Sequence, residues 1–263
     1  MGTTRIGIDI DDLHIAPKAA LQKAATMRFG NVEMPTVHGE LAPGNLSASG
    51  RRHLSRFLSG LGLDVAALVA DVPGTRLTDP ASTDERIDRT RLIMELARDL
   101  GVGVVTASVG SLTHPETGEP SPLALDALRQ IGEYADMIGT TYAIRPLCET
   151  ALGLARVLDE VGCPSISICL DPAAMVMSGV NPLPVLERFA DSLSIVHVRD
   201  GTAGGAHSSG METRLGEGDV DLAAIIGGLV EAEFGGVHIL RRTDSRTPEA
   251  DLEAGREVLA TYM

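Results

Sequence analysis

Short runs rich in β-branched residues alternate with longer helical patterns from one end of the chain to the other. The predicted strands cover residues 5–10, 31–34, 63–70, 102–108, 140–145, 165–171, 194–199 and 237–241. The helical patterns lie near residues 17–29, 48–60, 83–100, 122–138, 150–161, 184–190, 222–233 and 248–262. Eight strand–helix units with no break in composition between them are typical of a closed parallel barrel rather than an open sheet. We therefore predict an α/β fold, a single (β/α)8 TIM barrel that covers residues 1–263 as one domain.

Glycines and long loops fit the same interpretation. Glycine follows four of the helical patterns, at Gly62, Gly101, Gly162 and Gly235, where it commonly ends a helix and leads into the next strand. Three loops are longer than such units require, at residues 34–45, 111–121 and 201–218. All three follow strands, so we expect them at the face of the barrel where loops shape a pocket.

Composition excludes several classes of function. The chain has a net charge of −14, which argues against binding nucleic acid or an anionic membrane surface, because phosphate partners require a basic stripe. No apolar run approaches the roughly 20 residues of a membrane span, and the first residues contain no signal-peptide core. The three cysteines, Cys148, Cys163 and Cys169, have no metal-type spacing and are expected to be reduced thiols. These features predict a cytoplasmic protein.

Polar side chains end two neighbouring strands. The sixth strand ends on Asp171, and the seventh carries His197 near its end and is followed by Asp200. Because the carboxyl ends of parallel strands meet at one face of a barrel, these ligand-type side chains are expected to lie close together. If Asp171 points into the barrel, strand alternation places Ser167 and Cys169 inside as well.

Arginines end two further strands. On the fifth strand Thr141, Ala143 and Arg145 are expected to point inward. On the eighth strand two registers are possible, since a shift by one residue exchanges the faces. The inward set is either Val237, Ile239 and Arg241 or His238, Leu240 and Arg242.

Four segments, RFGNVEM at 28–34, LDPA at 170–173, HVRD at 197–200 and GEGDVD at 216–221, together resemble a known family, the xylose isomerase-like barrels of the sugar phosphate isomerase/epimerase superfamily. RFGNVEM at 28–34 is similar to the family's second-strand pattern, and LDPA at 170–173 to its sixth-strand motif. HVRD at 197–200 resembles the seventh-strand His-x-Lys-Asp motif, and GEGDVD at 216–221 the loop before the seventh helix. The four segments occur in the family's order on an eight-unit scaffold, so the resemblance spans nearly the whole chain.

The resemblance implies a metal site that this sequence alters. In the family, a Glu ending the fifth strand, the Asp of the sixth, the His of the seventh and a Glu ending the eighth hold a divalent cation such as Mn, Mg or Zn. The two glutamates also move a proton beside a sugar carbonyl. The matching positions here are Arg145, Asp171, His197 and Arg241, and a further polar family position is Ala174. Arginine neither ligates a cation nor acts as a base near neutral pH, so we expect no metal cofactor.

Three alternatives remain for the arginines. Arg145 and Arg241 could form a salt-bridge cluster with Asp171 that fills the vacated site. They could instead face an open pocket and bind an anionic ligand, such as a sugar acid or sugar phosphate, with Arg214 from the long seventh loop reaching a phosphate. The third alternative is a shifted register in which some other acid completes a metal site.

Other polar residues have both a structural and a functional interpretation. Glu33 could contact a sugar hydroxyl or pair with a neighbouring arginine, and His197 could bind a ligand, hydrogen-bond Asp171 or be a satisfied core histidine. Asp200 could react but is also suited to orienting its neighbours or capping the following loop. Asp9 and Asp11 are expected to cap a helix. If the protein is an enzyme, Glu33, His197, Asp200 or a loop residue would supply the acid and base.

The predicted function is that of a sugar phosphate isomerase/epimerase-like protein. We expect it to bind a small-molecule carbohydrate, polyol or sugar acid at the carboxyl-terminal face of the barrel, with the family's metal-dependent chemistry lost or altered. The alternative is a non-catalytic ligand-binding or regulatory protein. An endonuclease-like function on DNA is disfavoured, because it needs more metal-binding histidines and a basic surface. The sequence leaves the oligomeric state open, a homo-oligomer included.

Overall fold

Eight parallel strands close into a barrel in a computed structural model that describes residues 5–114, 116–146, 149–205 and 209–263. The strands in chain order are β1 (Arg5–Asp9), β2 (Asn31–Pro35), β3 (Asp64–Val69), β4 (Val104–Ser108), β5 (Thr141–Arg145), β6 (Ile166–Leu170), β7 (Leu193–Val198), β8 (Asp200–Thr202), β9 (Met211–Thr213) and β10 (Val237–Leu240). The barrel order is β1-β10-β7-β6-β5-β4-β3-β2, and the short strands β8 and β9 form a separate antiparallel pair. The predicted (β/α)8 TIM barrel is confirmed.

Helices follow the barrel strands and cover the outside of the barrel. They are α1 (Pro17–Thr26), α2 (Ala48–Leu61), α3 (Thr83–Leu100), α4 (Pro122–Ile138), α5 (Ala151–Val161), α6 (Pro172–Met177), α7 (Leu183–Phe189), α8 (Leu222–Glu231) and α9 (Pro248–Ala260). Gly62, Gly101 and Gly162 end α2, α3 and α5 in the left-handed conformation, as predicted. Gly235 does not serve this purpose. After α8 the left-handed residue is Glu233, with φ of 52°.

The inside of the barrel is filled by small and β-branched side chains. Ala67, Ala143, Cys169, Ile195, Val237 and Ile239 form a buried cluster there, apart from the larger core between strands and helices. This cluster settles the register of the last strand. Because Val237 and Ile239 point inward, Arg241 does too, whereas His238 packs edge-on against Phe234 outside the barrel with the ring centroids 5.2 Å apart.

The three long predicted loops all lie at the carboxyl ends of strands. The loop at 34–45 contains two short 3-10 helices, Gly39–Leu41 and Pro43–Asn45. The loop at 201–218 contains most of the antiparallel pair β8 and β9, for which the sequence predicts no strands. Pro115 of the loop at 111–121 and residues 206–208 lie outside the described residues.

Two further expectations concern thiols and membranes. Cys163 and Cys169 form no disulfide within the described residues, and Cys148 lies outside them. Across the described ranges, no helix has the length and apolar character needed to cross a bilayer.

Candidate functional site

His197 lies between two carboxylates at the carboxyl-terminal end of the barrel. Its Nε2 is 2.8 Å from Oε2 of Glu33, and its Nδ1 is 3.4 Å from Oδ2 of Asp171. Glu33 also accepts a hydrogen bond from the Thr106 hydroxyl through its other oxygen. Glu33 and His197 are fully buried and Asp171 is 1% exposed, so this group forms the floor of the barrel mouth.

The charges in this group favour the ionised forms. Burial lowers the pKa of His197, but its neighbours Cys169, Glu33 and Asp171 together outweigh burial and raise that pKa well above its usual value. Burial likewise opposes ionisation of Glu33, yet His197, Arg241 and Arg145 lower its pKa to about 2. An imidazolium can donate to both neighbours at once, which a neutral imidazole cannot.

Asp171 is held by a fork-shaped contact from Arg199. Nε of Arg199 lies 3.1 Å from Oδ1 of Asp171, and Nη2 lies 2.9 Å from Oδ2. The backbone N–H of Ala174 donates to Oδ1 at 3.0 Å, because Asp171 is the N-cap of α6. Burial raises the pKa of Asp171, but Arg199 and His197 bring it well below its ordinary value. Asp171 is therefore a carboxylate whose two oxygens are already engaged.

Arg241 pairs with acids of the first strand and the turn after it. Its Nε and Nη2 lie 3.1 and 2.9 Å from the two oxygens of Asp12, and Nη2 is 3.0 Å from Oδ2 of Asp9. Asp9 also accepts from the backbone N–H of Asp11 at 2.9 Å, so the capping predicted for it is present. Burial raises the pKa of Asp9 to about 7, with Arg241 opposing the shift and Asp12 adding to it. Asp9 thus differs from Asp12, Glu33 and Asp171, whose pKa values are lowered.

Arg145 pairs with Asp71, which follows β3. Nη2 of Arg145 donates to Oδ2 of Asp71, whose other oxygen accepts from the backbone N–H of Ser108 at 2.5 Å. Nη1 of Arg145 is buried and has no hydrogen-bond partner in the part of the chain that the structure describes. A buried unpaired donor is unfavourable, so Nη1 of Arg145 retains the capacity to donate a hydrogen bond.

Salt bridges do form here, but with other partners than in the salt-bridge alternative, which pairs Arg145 and Arg241 with Asp171. Among the described residues, no ion pair joins Asp171 to Arg145 or to Arg241. Each of the two arginines instead uses an acid that sequence analysis did not consider for it. Asp171 in turn takes Arg199, which replaces lysine in the motif that carried the resemblance.

Asp200 and Arg214 lie apart from this group. The carboxylate of Asp200 accepts hydrogen bonds from the backbone N–H groups of Gly201, Gly216, Gly218 and Val220, at distances of 2.8 to 3.1 Å. Asp200 therefore organises the seventh loop, in agreement with the structural interpretation of this residue. Among the described residues, it makes no hydrogen bond to Glu33, His197 or Asp171. Arg214 has a half-exposed side chain that pairs with Asp251 at 3.0 Å.

The side chains of the mouth differ in exposure. Those of Arg145, Arg199 and Arg241 are 7%, 17% and 13% exposed, whereas Glu33 and His197 are fully buried. A molecule that approaches the mouth therefore meets these guanidinium groups before Glu33 and His197, and it also meets Asp71, whose side chain is 39% exposed. With His197 the three arginines are four cations, and they face four carboxylates, Glu33, Asp12, Asp71 and Asp171, together with the weak acid Asp9. The network is close to electroneutral.

Sequence analysis missed several residues of the site. Thr106, Asp12, Asp71, Arg199 and Glu212 all take part in it, Glu212 by joining Arg199 to Arg242 at 3.4 and 2.9 Å. Asp71 follows a buried strand in the same way as Asp171 follows another, and this signal could have identified it. The sequence does not indicate which acid pairs with which arginine, because the paired residues are 74 and 229 positions apart.

A cavity of about 670 Å³ lies at the opposite end of the barrel. Its lining includes Arg5, Asn31, Asp64, Ser194 and Val237, which begin strands or precede them. This is the amino-terminal face, where side chains of such barrels serve stability, whereas chemistry belongs to the other face. We therefore place the candidate site at the carboxyl-terminal mouth.

Comparison with known proteins places the chain in a structural group. A family model described as a xylose isomerase-like TIM barrel matches residues 21–262. A xylose isomerase domain protein from Planctomyces limnophilus superposes with a TM-score of 0.85 at 19% identity, covering 99% of this chain and 98% of that one. The IOLI protein with a bound zinc atom gives 0.80 at 18% identity, with 99% of both chains covered. A D-tagatose 3-epimerase-like protein gives 0.79 at 17%, covering 98% of this chain and 97% of that one. No curated protein sequence matches significantly.

Proposed function

Because the chain belongs to the xylose isomerase-like TIM barrel family, we propose that it binds a small carbohydrate, polyol or sugar acid at the carboxyl-terminal mouth of its barrel without a divalent metal. The observation that carries this proposal is the set of three partly exposed guanidinium groups, Arg145, Arg199 and Arg241, around the buried Glu33 and His197. Guanidinium groups offer several N–H donors in a fixed plane, which suits the hydroxyl and carboxylate oxygens of such ligands.

The donor set supports binding without a metal. Of the four positions that the resemblance relates to metal ligands, Asp171 and His197 keep suitable side chains, and both are engaged with each other and with Arg199 or Glu33. Among the described residues, no group of three or more His, Cys, Asp and Glu side chains is arranged to hold a metal ion. A divalent cation would also meet the charges of nearby arginines, and two unit charges 4 Å apart repel by about 4 kcal/mol at an effective dielectric constant of 20.

The proposal can be tested by binding measurements on the purified protein. Sorbitol, glucose, gluconate and glucose 6-phosphate are titrated by calorimetry, before and after dialysis against EDTA. We expect binding of at least one sugar, polyol or sugar acid, with an affinity unchanged by EDTA. Metal analysis of protein purified with added Mn should show a content far below one ion per chain. Stoichiometric metal that is removed together with ligand binding would contradict the proposal.

A second candidate is an isomerase or epimerase that moves a proton without a metal. Asp9 favours it, because this buried acid has a pKa of about 7 and lies 3.0 Å from Nη2 of Arg241. Such an acid can exchange a proton near neutral pH, and the guanidinium can stabilise a developing oxyanion. Incubation of the sugars in D2O with the protein would then introduce deuterium next to the carbonyl, and Asp9→Asn would abolish the exchange. No exchange with any of the sugars would leave the binding protein as the remaining candidate.

A further inference from the structure

The three arginines of the barrel mouth are held in unequal ways. Arg241 reaches both oxygens of Asp12 and also Asp9, and Arg199 reaches both oxygens of Asp171. Arg145 uses a single nitrogen, Nη2, on a single oxygen of Asp71. Its Nη1 is buried and has no hydrogen-bond partner among the described residues, and Arg145 as a whole is only 6% exposed. Among the three arginines, Arg145 alone therefore has a buried nitrogen that donates to no described residue.

Asp71 also differs from the other acids of the mouth. Its side chain is 39% exposed, whereas Asp171, Asp12 and Asp9 are 2%, 2% and 3% exposed in theirs. It lies in the segment between β3 and α3, at a tight turn where the N–H of Val72 donates to the carbonyl of Ala70 at 3.0 Å. A partly exposed carboxylate gives up a cation more readily than a buried one, because water stabilises its charge after separation.

We propose that Arg145 is a carboxylate subsite for an acidic carbohydrate, and that Asp71 occupies this subsite from within the chain until a ligand displaces it. The inference rests on the proposed function and narrows its ligand class to sugar acids. A ligand carboxylate in this position would accept from both Nη1 and Nη2, the two-point geometry that guanidinium groups favour, and so would satisfy the nitrogen that Asp71 leaves unpaired.

Charge balance favours one carboxylate over a phosphate. The network is close to neutral with Asp71 in place, so a singly charged ligand that replaces Asp71 leaves the total unchanged. A phosphate dianion in the same exchange would add one uncompensated negative charge beside Asp171 and Glu33. A neutral polyol cannot replace Asp71 at all without leaving Arg145 without a counter-ion.

The test compares two substitutions that remove the same charge. Asp71→Asn removes the internal counter-ion, and Asp84→Asn is the control, because Asp84 is an exposed residue of the first turn of α3 that pairs with none of the three arginines in the described residues. Gluconate and sorbitol differ only in a carboxylate against a hydroxymethyl group, and both are titrated into each variant by calorimetry. We expect Asp71→Asn to bind gluconate about tenfold tighter than the parent, with sorbitol unchanged. Asp84→Asn should behave as the parent with both compounds.

A third variant tests whether the gain in gluconate affinity depends on Arg145. Arg145→Gln combined with Asp71→Asn should lose the additional gluconate affinity, and thermal unfolding should show that each variant is folded. Gluconate binding in Asp71→Asn that is no tighter than in Asp84→Asn overturns the inference, as does a gain that persists without Arg145. If sorbitol binds while the gluconate gain is absent, the proposed function stands and this inference fails. If neither compound binds any variant, this inference fails, and the proposed function fails with it unless glucose binds the parent.

Discussion

His197 has an acidic side chain at each ring nitrogen, and this arrangement determines its charge. We expect an imidazolium at pH 7, with protons on both ring nitrogens, because Cys169, Glu33 and Asp171 hold its pKa well above the usual value against the effect of burial. His238 is an internal control, since burial lowers its pKa to about 4 and it should be neutral at the same pH. Nitrogen-15 NMR of the histidine rings measures both. A neutral His197 ring at pH 7 would show that the two carboxylates are not both ionised.

The ionisation of Glu33 and His197 makes the free energy of unfolding depend on pH. The pKa of Glu33 is lowered to about 2 from 4.5, so its contribution is present above pH 4.5 and is lost as the pH falls toward 2. The pKa of His197 is raised above 6.5, so its contribution is present below pH 6.5 and is lost as the pH rises through the folded value. The pair therefore favours folding most between these limits.

Removal of one partner from this pair should be costly. Glu33→Gln leaves the His197 charge buried with a weaker partner, and we expect a loss of about 3 kcal/mol in the free energy of unfolding. Glu253→Gln makes the same chemical change at an exposed position of α9 and should change stability by less than about 0.5 kcal/mol. Urea unfolding at pH 6 measures both variants. Equal stabilities of the two would mean that the Glu33–His197 contact contributes little.

At the scale of elements, the seventh loop is built around one carboxylate. Gly218 lies so close to Asp200 that a Cβ atom would be 2.2 Å from Oδ1, and the Gly218 N–H donates to Oδ2 at 2.9 Å. Gly218→Ala should therefore displace Asp200 and lower the melting temperature by several degrees, through about 2 kcal/mol of lost hydrogen bonding and strain. Gly227→Ala, with no atom within 4 Å of the added carbon, should stabilise α8 by about 0.5–1 kcal/mol. Calorimetric melting distinguishes the two.

The strand–helix alternation predicted the barrel because it is a local signal. Every barrel strand overlaps a predicted one, and the inward sets containing Ala143 and Cys169 are confirmed by the cluster inside the barrel. The elements that were missed have little local signal. The strands β8 and β9 are three residues each, and α6 is a short helix that begins inside the segment interpreted as a motif.

At the scale of the whole molecule, the pairing of charges could not be predicted from sequence. The sequence predicts Arg145 and Arg241 as inward side chains, but their acids follow other strands, Asp71 after β3 and Asp12 after β1, which is the neighbour of β10 in the barrel. Which acid each arginine reaches depends on the closure of the barrel and on side-chain conformation. Strand periodicity specifies which face a residue occupies, and it carries no information about the partner chosen on that face.

The electroneutral mouth leads to a prediction about the chain as a whole. Arg145→Glu with Arg241→Glu changes the charge of the mouth by four units and places new carboxylates beside Asp71 and Asp12, so the variant should be less stable than the parent in EDTA. It should also gain affinity for Mn, because oxygen ligands then surround Asp171 and His197. At 100 times the dissociation constant, bound Mn would restore about 2.7 kcal/mol, or roughly 5–10 °C in melting temperature. Arg156→Glu with Arg246→Glu, an equal charge change at exposed positions, should show no Mn-dependent shift. Absence of Mn binding by calorimetry in the first variant would contradict the alignment of these strand ends with metal-binding positions.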